Sequence, residues 1–248
     1  MTLDPLQAWS TPLAAPLEPP FPFTFRDVEV LTLVYRTTPE AVRRLIPAPL
    51  VPISDQVLIH IYNMNDVDYI GRYGECNVML GAQLPGRISG GFSPFLFLNS
   101  DGGLAQGRGI HGQPKKWGNP RVEFRGDLIV GVLERNGIDV VTGTMGYKHQ
   151  RGDLVDLKRE AFDFSVNLNF KLLRHIDGRP AVRQITSRAL TDVKVHECWR
   201  GPCSVELRPN VLAPIYDLPV VQTADAYFWR AEFTLIPGTV VHDYLEPA

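Results

Sequence analysis

Cysteine is scarce in this chain: three in 248 residues, Cys76, Cys198 and Cys203. The odd number and the lack of paired close spacings exclude a disulfide framework and a zinc site, so reduced, partly buried thiols in a cytoplasmic protein are expected, with no metal. Long apolar runs are missing, and none approaches the about 20 residues that cross a bilayer. The start, Met1 to Trp9, carries an acid in place of a basic n-region and has no apolar h-region, so it does not read as a secretory signal. Charge imbalance is missing as well. A net charge of −2 gives no electrostatic reason to expect nucleic acid or an anionic membrane as partner. Lysine is rare, with six (Lys115, Lys116, Lys148, Lys158, Lys171 and Lys194) among 25 basic residues.

What is present suits a globular protein with a sizeable core, 44% hydrophobic and 21% charged. Residues 1–22 hold Pro5, Pro12, Pro16, Pro19, Pro20 and Pro22, which predicts an extended arm able to wrap a neighbour, followed by a single domain over 23–248. Phe23 to Thr37 reads as a strand. Thr38-Pro39-Glu40 reads as the capped start of a short helix that Pro47 and Pro49 stop. Strands follow at Gln56–Asn63, Tyr73–Leu84 and Phe92–Leu98, and Asp101 to Gly112 predicts one short helix broken by glycines. After Pro120 a meander is expected over 121–125, 127–134 and 139–149, with Asn136-Gly137 as a hairpin turn. Asp153 to Glu160 is a loop or short helix, and the alternation from Phe162 to Phe170 marks a half-buried strand. Strands are also expected at 182–199, 204–207, 226–236 and 240–245, with an irregular stretch at 210–219. The predicted class is α+β and mainly antiparallel β, curved or closed into a β-barrel-like sheet with a few short helices.

The densest chemical signal is Gly107 to Pro120, at whose centre Lys115 and Lys116 stand together between Pro114 and Trp117. Glycines permit close backbone approach, proline fixes φ, and tryptophan brings apolar bulk, so a rigid and crowded turn is predicted. Two ammonium groups held there would repel each other and lose hydration, and both effects favour a neutral amine able to condense with a ketone. The stretch by itself leaves a second reading open, a solvated pair at a loop tip. Gly107-x-Gly109-x-x-Gly112 matches the dinucleotide fingerprint but lacks a βαβ context, and neither a Gly-x-Ser-x-Gly elbow nor a His-x-x-x-His helix is present. His60, inside Val-Leu-Ile-His-Ile-Tyr, is either a hydrogen-bonded core residue or part of a pocket. Glu75 opens an apolar strand, where an acid faces water or, pointing inward, needs a partner.

Several blocks in order resemble the acetoacetate decarboxylase family: Val34-Tyr35-Arg36-Thr37, Pro47-Ala48-Pro49-Leu50, Tyr73-Gly74-Glu75, Gly112-Gln113-Pro114-Lys115-Lys116, Thr144 to His149, Thr191-Asp192-Val193, Val195-His196-Glu197, Gly201-Pro202 and Asp243-Tyr244-Leu245. That family is itself the standing example of a lysine activated by a cationic neighbour. The resemblance implies a closed β-barrel with the lysine inside, Lys115 as the Schiff-base residue, Lys116 as its neighbouring charge, Glu75 as the active-site glutamate, and a homo-oligomer. It implies a small oxo-acid substrate and no cofactor beyond the covalent imine on Lys115. Decarboxylation of an acetoacetate-like β-keto acid is the leading expectation.

The chain departs from the family pattern at four places. Val28 stands where the decarboxylases carry an arginine and His60 where they carry a second acid, Gly109 replaces the glutamate of Gly-Arg-Glu, and Gln113 replaces an aromatic residue. Some relatives with altered pockets act as aldolase-dehydratases on pyruvate, and Tyr73, Gln113 and Tyr244 are candidates for such chemistry. A barrel that binds a ligand without catalysis is the third reading. Candidate substrate-contacting residues are therefore Gln113, His60, Tyr73, Val28, Phe97 and Tyr244.

Overall fold

The computed structural model describes residues 4–246. Fourteen strands occur among them: β1 Phe23–Arg36, β2 Val51–Val67, β3 Tyr73–Leu84, β4 Ile88–Leu98, β5 Lys115–Trp117, β6 Asn119–Arg125, β7 Leu128–Arg135, β8 Ile138–Gly146, β9 Gln150–Arg151, β10 Val166–Arg174, β11 Pro180–Leu207, β12 Gln222–Thr223, β13 Asp225–Leu235 and β14 Thr239–Asp243. The helices are α1 Pro39–Leu45, α2 Asp101–Gln106 and α3 Leu154–Glu160, with a π-helical turn over Gly107–His111 and a 3₁₀ turn over Ile215–Asp217.

The strands run β10-β4-β3-β2-β1-β13-β11, and β11 pairs again with β10, so the sheet closes into a ring. Most pairings are antiparallel, while β10 and β5 lie parallel to β4. β11 is long enough to leave the ring. Its first part pairs with β10, its middle with β13, and its last residues, Cys203–Leu207, with β8, which carries β7 and β6 as a second layer.

Alternation along each strand sorts the side chains into two cores. On β2 and β3, Leu58, Met64, Tyr73 and Met79 face one core, whereas Ile59, Ile61, Cys76 and Val78 face the other. On β1 the register shifts between Phe25 and Val28. This bulge resets the parity, so Phe23 and Phe25 share the inner core with Val28 and Val30. The outer core lies under the β6-β7-β8 layer, and there Gly143 lets Leu33 approach closely: a Cβ at 143 would sit 2.1 Å from Leu33 Cδ1.

Local signals explain several boundaries. The Thr38 hydroxyl accepts from Ala41 N at 3.3 Å and Pro39 opens α1, as the capping pattern predicts. Asn136 and Gly137 both take positive φ, 55° and 79°, at the β7–β8 hairpin. One strand starts later than expected. The strand expected from Phe162 begins at Val166, because Phe162 and Phe164 are used as packing against the inner core from a non-strand segment. The segment preceding β1 packs on its own chain: Trp9 Nε1 donates to Pro19 O at 3.1 Å, and Phe21 lies edge-on to His111 at 5.4 Å. No helix among the described residues is long and apolar enough to cross a membrane.

Candidate active site

Ser100 caps α2, its hydroxyl accepting from Gly103 N at 3.2 Å, and the helix runs on into the π turn Gly107–His111. Gly112 then takes a left-handed conformation (φ 75°) that reverses the chain, and Gln113 N donates to Gly107 O at 2.9 Å. The returning chain forms β5 beside β4, with Leu96 opposite Lys115. Lys115 thereby points into the ring. Its stem lies against Gly107, where an added Cβ would come within 2.4 Å of Cδ and 2.5 Å of Cε. Arg108 Nη1 braces the turn through Lys115 O at 3.0 Å.

Lys115 Nζ donates to Gly103 O at 3.0 Å and lies 3.1 Å from Glu75 Oε2. Both residues are 5% exposed. Burial lowers the pKa of the amine below the ordinary lysine value, with Glu75 opposing that shift and the Arg188 guanidinium adding to it. The cavity around this pair takes side chains from β1, β2, β3, β11, β13 and α2, including Phe23, Tyr62, Tyr73, Gln106, Gln113 and Arg188. Burial, reinforced by the Glu75 charge, raises the phenol pKa values of Tyr62 and Tyr73, so both stay neutral hydrogen-bond donors.

Of the residues singled out from sequence, the structure gathers Lys115, Glu75, Gln113 and Tyr73 around one cavity. Lys116 is elsewhere. Neighbours on a strand face opposite ways, and Lys116 Nζ donates to Leu212 O at 2.5 Å outside the ring. Arg188, not Lys116, is the cation that acts on Lys115. Phe97 pairs with Lys116 in register and belongs to the outer core, and it does not line the cavity around Lys115. Tyr244 follows β14, where its hydroxyl donates to Ala48 O and its ring packs on Phe170.

A model of the family described as acetoacetate decarboxylase (ADC) matches residues 10–245. Acetoacetate decarboxylase 3 of Mesorhizobium japonicum is 36% identical over 239 residues, covering 96% of this chain and 92% of that protein. The acetoacetate decarboxylase of Bordetella avium is 35% identical and covers 99% of each chain. The chain belongs to the acetoacetate decarboxylase family. A solved acetoacetate decarboxylase superposes with a TM-score of 0.90 at 32% identity, over 97% of this chain and 98% of that one. Family membership makes the protein an enzyme of the carboxy-lyase class.

Within the acetoacetate decarboxylase frame, the two strand departures fall just outside the cavity lining. Val28 is fully buried in the inner core. His60 shares the inner face of β2 with Tyr62, but Phe164 covers it, with ring centroids 5.0 Å apart. Its Nδ1 lies 2.8 Å from the Thr32 hydroxyl, which in turn accepts from Trp229 Nε1 at 3.0 Å. Burial pushes the imidazole down to about 3, so it is neutral. Sequence reasoning missed Arg188, Gln106 and Tyr62. Tyr62 was accessible through its two-residue spacing from Met64 and His60 on β2. Arg188 carried no local signal among the other arginines of β11.

Proposed function

We propose that this enzyme decarboxylates an acetoacetate-like β-keto acid through an imine on Lys115, giving a ketone and CO₂. The observation that carries this reading is the fully enclosed Lys115 amine, with its lowered pKa, 3.1 Å from a buried carboxylate. Burial favours the unprotonated amine, and the neutral form attacks the substrate carbonyl. Loss of water from the carbinolamine gives an iminium, a sink for the electron pair left when the C–C bond to the carboxylate breaks. The enamine so formed takes a proton at carbon, and hydrolysis of the resulting iminium frees the ketone and Lys115. The sink is built from Lys115 and the substrate alone.

Glu75 is placed to move protons in these steps, taking one from the attacking nitrogen as the carbinolamine forms and giving it to the hydroxyl that leaves as water. Gly103 O orients the amine, and Gln113, Gln106 and Tyr73 offer neutral donors at the cavity wall. The Gln106 amide nitrogen is buried without a partner, so it is free to bind a substrate oxygen. Tyr73 and Gln113 in the same cavity also favour a second reading, an aldolase-dehydratase that keeps the carboxylate of pyruvate. CO₂ release from acetoacetate, measured against condensation of pyruvate with an aldehyde, separates the two. Acetoacetate turnover that vanishes in Lys115→Met supports the first, and turnover of the pyruvate pair alone refutes it.

A further inference from the structure

Arg188 has no evident task in decarboxylation of acetoacetate. It lies on β11 two residues before Leu190, and both line the Lys115 cavity. Its Nε is buried with no hydrogen-bond partner, and the guanidinium makes no ion pair among the described residues. Burial lowers its pKa, with Glu75, Tyr62 and Tyr73 the groups that favour its charge, yet an arginine remains protonated. The one nearby carboxylate, Glu75, is already engaged by Lys115. A half-buried cation whose Nε is shut off from water and unpartnered is costly unless an anion completes it.

Arg188 also lines a second cavity, together with Tyr62, Asn77, Phe164, Asn167 and Trp229. Tyr62, Arg188, Leu190 and Phe233 are common to both cavities, so the guanidinium stands on the partition between them. An anion bound there would extend from Lys115 toward the second cavity. The carboxylate that leaves as CO₂ is a poor candidate for it. Charge departs from that group in the transition state, so a guanidinium on it would stabilise the ground state more than the transition state. A carboxylate that stays on the substrate gains binding energy without that penalty.

We propose that Arg188 binds a second, retained carboxylate, and that the substrate class is a 3-oxo dicarboxylic acid. This rests on the imine reading of Lys115 and narrows its substrate. The reaction remains balanced as above: the C–C bond to the carboxylate β to the ketone breaks, CO₂ departs, the enamine carbon takes one proton, and the distal carboxylate is unchanged.

The test compares 3-oxohexanedioate with 3-oxohexanoate, equal in chain length and differing by a terminal carboxylate in place of a methyl. CO₂ release gives kcat/KM for each with wild type, Arg188→Gln and Arg188→Lys. The ratio of the two values is independent of the fraction of enzyme that folds. We expect the diacid to be favoured about tenfold or more in wild type, the size of one charge-assisted hydrogen bond. The ratio should fall to one or below in Arg188→Gln and be partly kept in Arg188→Lys, with the change carried by KM. A wild-type ratio of one, or a preference that persists in Arg188→Gln, overturns the proposal. Borohydride reduction in parallel separates the two layers of the argument. Label on Lys115 without CO₂ overturns the decarboxylase reading alone, and the diacid-to-monoacid ratio of label yield then decides the anchor. Absence of label with both acids overturns both.

Discussion

Gly107→Ala isolates the positioning of the reactive amine. Position 107 is already right-handed helical (φ −64°, ψ −43°), so alanine fits its backbone and gains about 0.8–1 kcal/mol of helix propensity. The new Cβ, however, would lie 2.4 Å from Lys115 Cδ, against the 3.4 Å at which ordinary contact begins, so the stem must retreat by about 1 Å. The stem has nowhere simple to go, since Lys115 is 5% exposed and its Nζ is held by Gly103 O and Glu75. A misplacement of ~1 Å at a reacting group costs on the order of 10²-fold in rate. The assay is kcat/KM for CO₂ release from acetoacetate or the diacid, with a thermal melt alongside. A folded variant within threefold of wild-type activity would refute the argument that Gly107 sets the lysine's place.

Other substitutions test separate parts of the account. Glu75 raises the Lys115 pKa, so Glu75→Gln should move the acid limb of the kcat/KM profile to lower pH while reducing the rate through loss of proton transfer; a limb displaced upward would contradict the charge assignment. Lys116→Gln should leave that limb in place, because the Lys116 amine faces out of the ring, and a displaced limb would restore Lys116 as the activating charge. His60→Ala should cost about 2–5 kcal/mol in a denaturant titration, as for other large core truncations, with KM unchanged; an altered KM at undiminished stability would return His60 to the substrate. Gly143→Ala should cost about 1–3 kcal/mol by forcing Leu33 aside in the outer core, and an unchanged denaturation midpoint would show that this core yields freely.

The parts of the fold legible in the sequence were those with a local physical cause. Tyr73–Leu84 is bounded as expected, and the Thr38 cap and the Asn136-Gly137 turn act as their chemistry dictates. β5 was hidden because glycine and proline crowd both its flanks, and only the neighbouring β4 makes a strand of Lys115–Trp117. That strand is also why the lysine pair misled: adjacency in sequence suggests repulsion, but pleating sends the two amines to opposite faces. Phe97 was misassigned for a related reason. Phe95 to Leu98 is apolar throughout and has a core on each side, so no alternation reveals which residues face the cavity. Arg188 joins Glu75 and Lys115 because β10, the hairpin partner of β11, pairs in parallel with the distant β4, a long-range contact with no trace in the local pattern.

The most direct measurement is borohydride trapping with acetoacetate followed by peptide mass spectrometry. The account predicts the reduced adduct on Lys115, with none on Lys116 and none in folded Lys115→Met. Label on Lys116, or no label while CO₂ is still released, would contradict it.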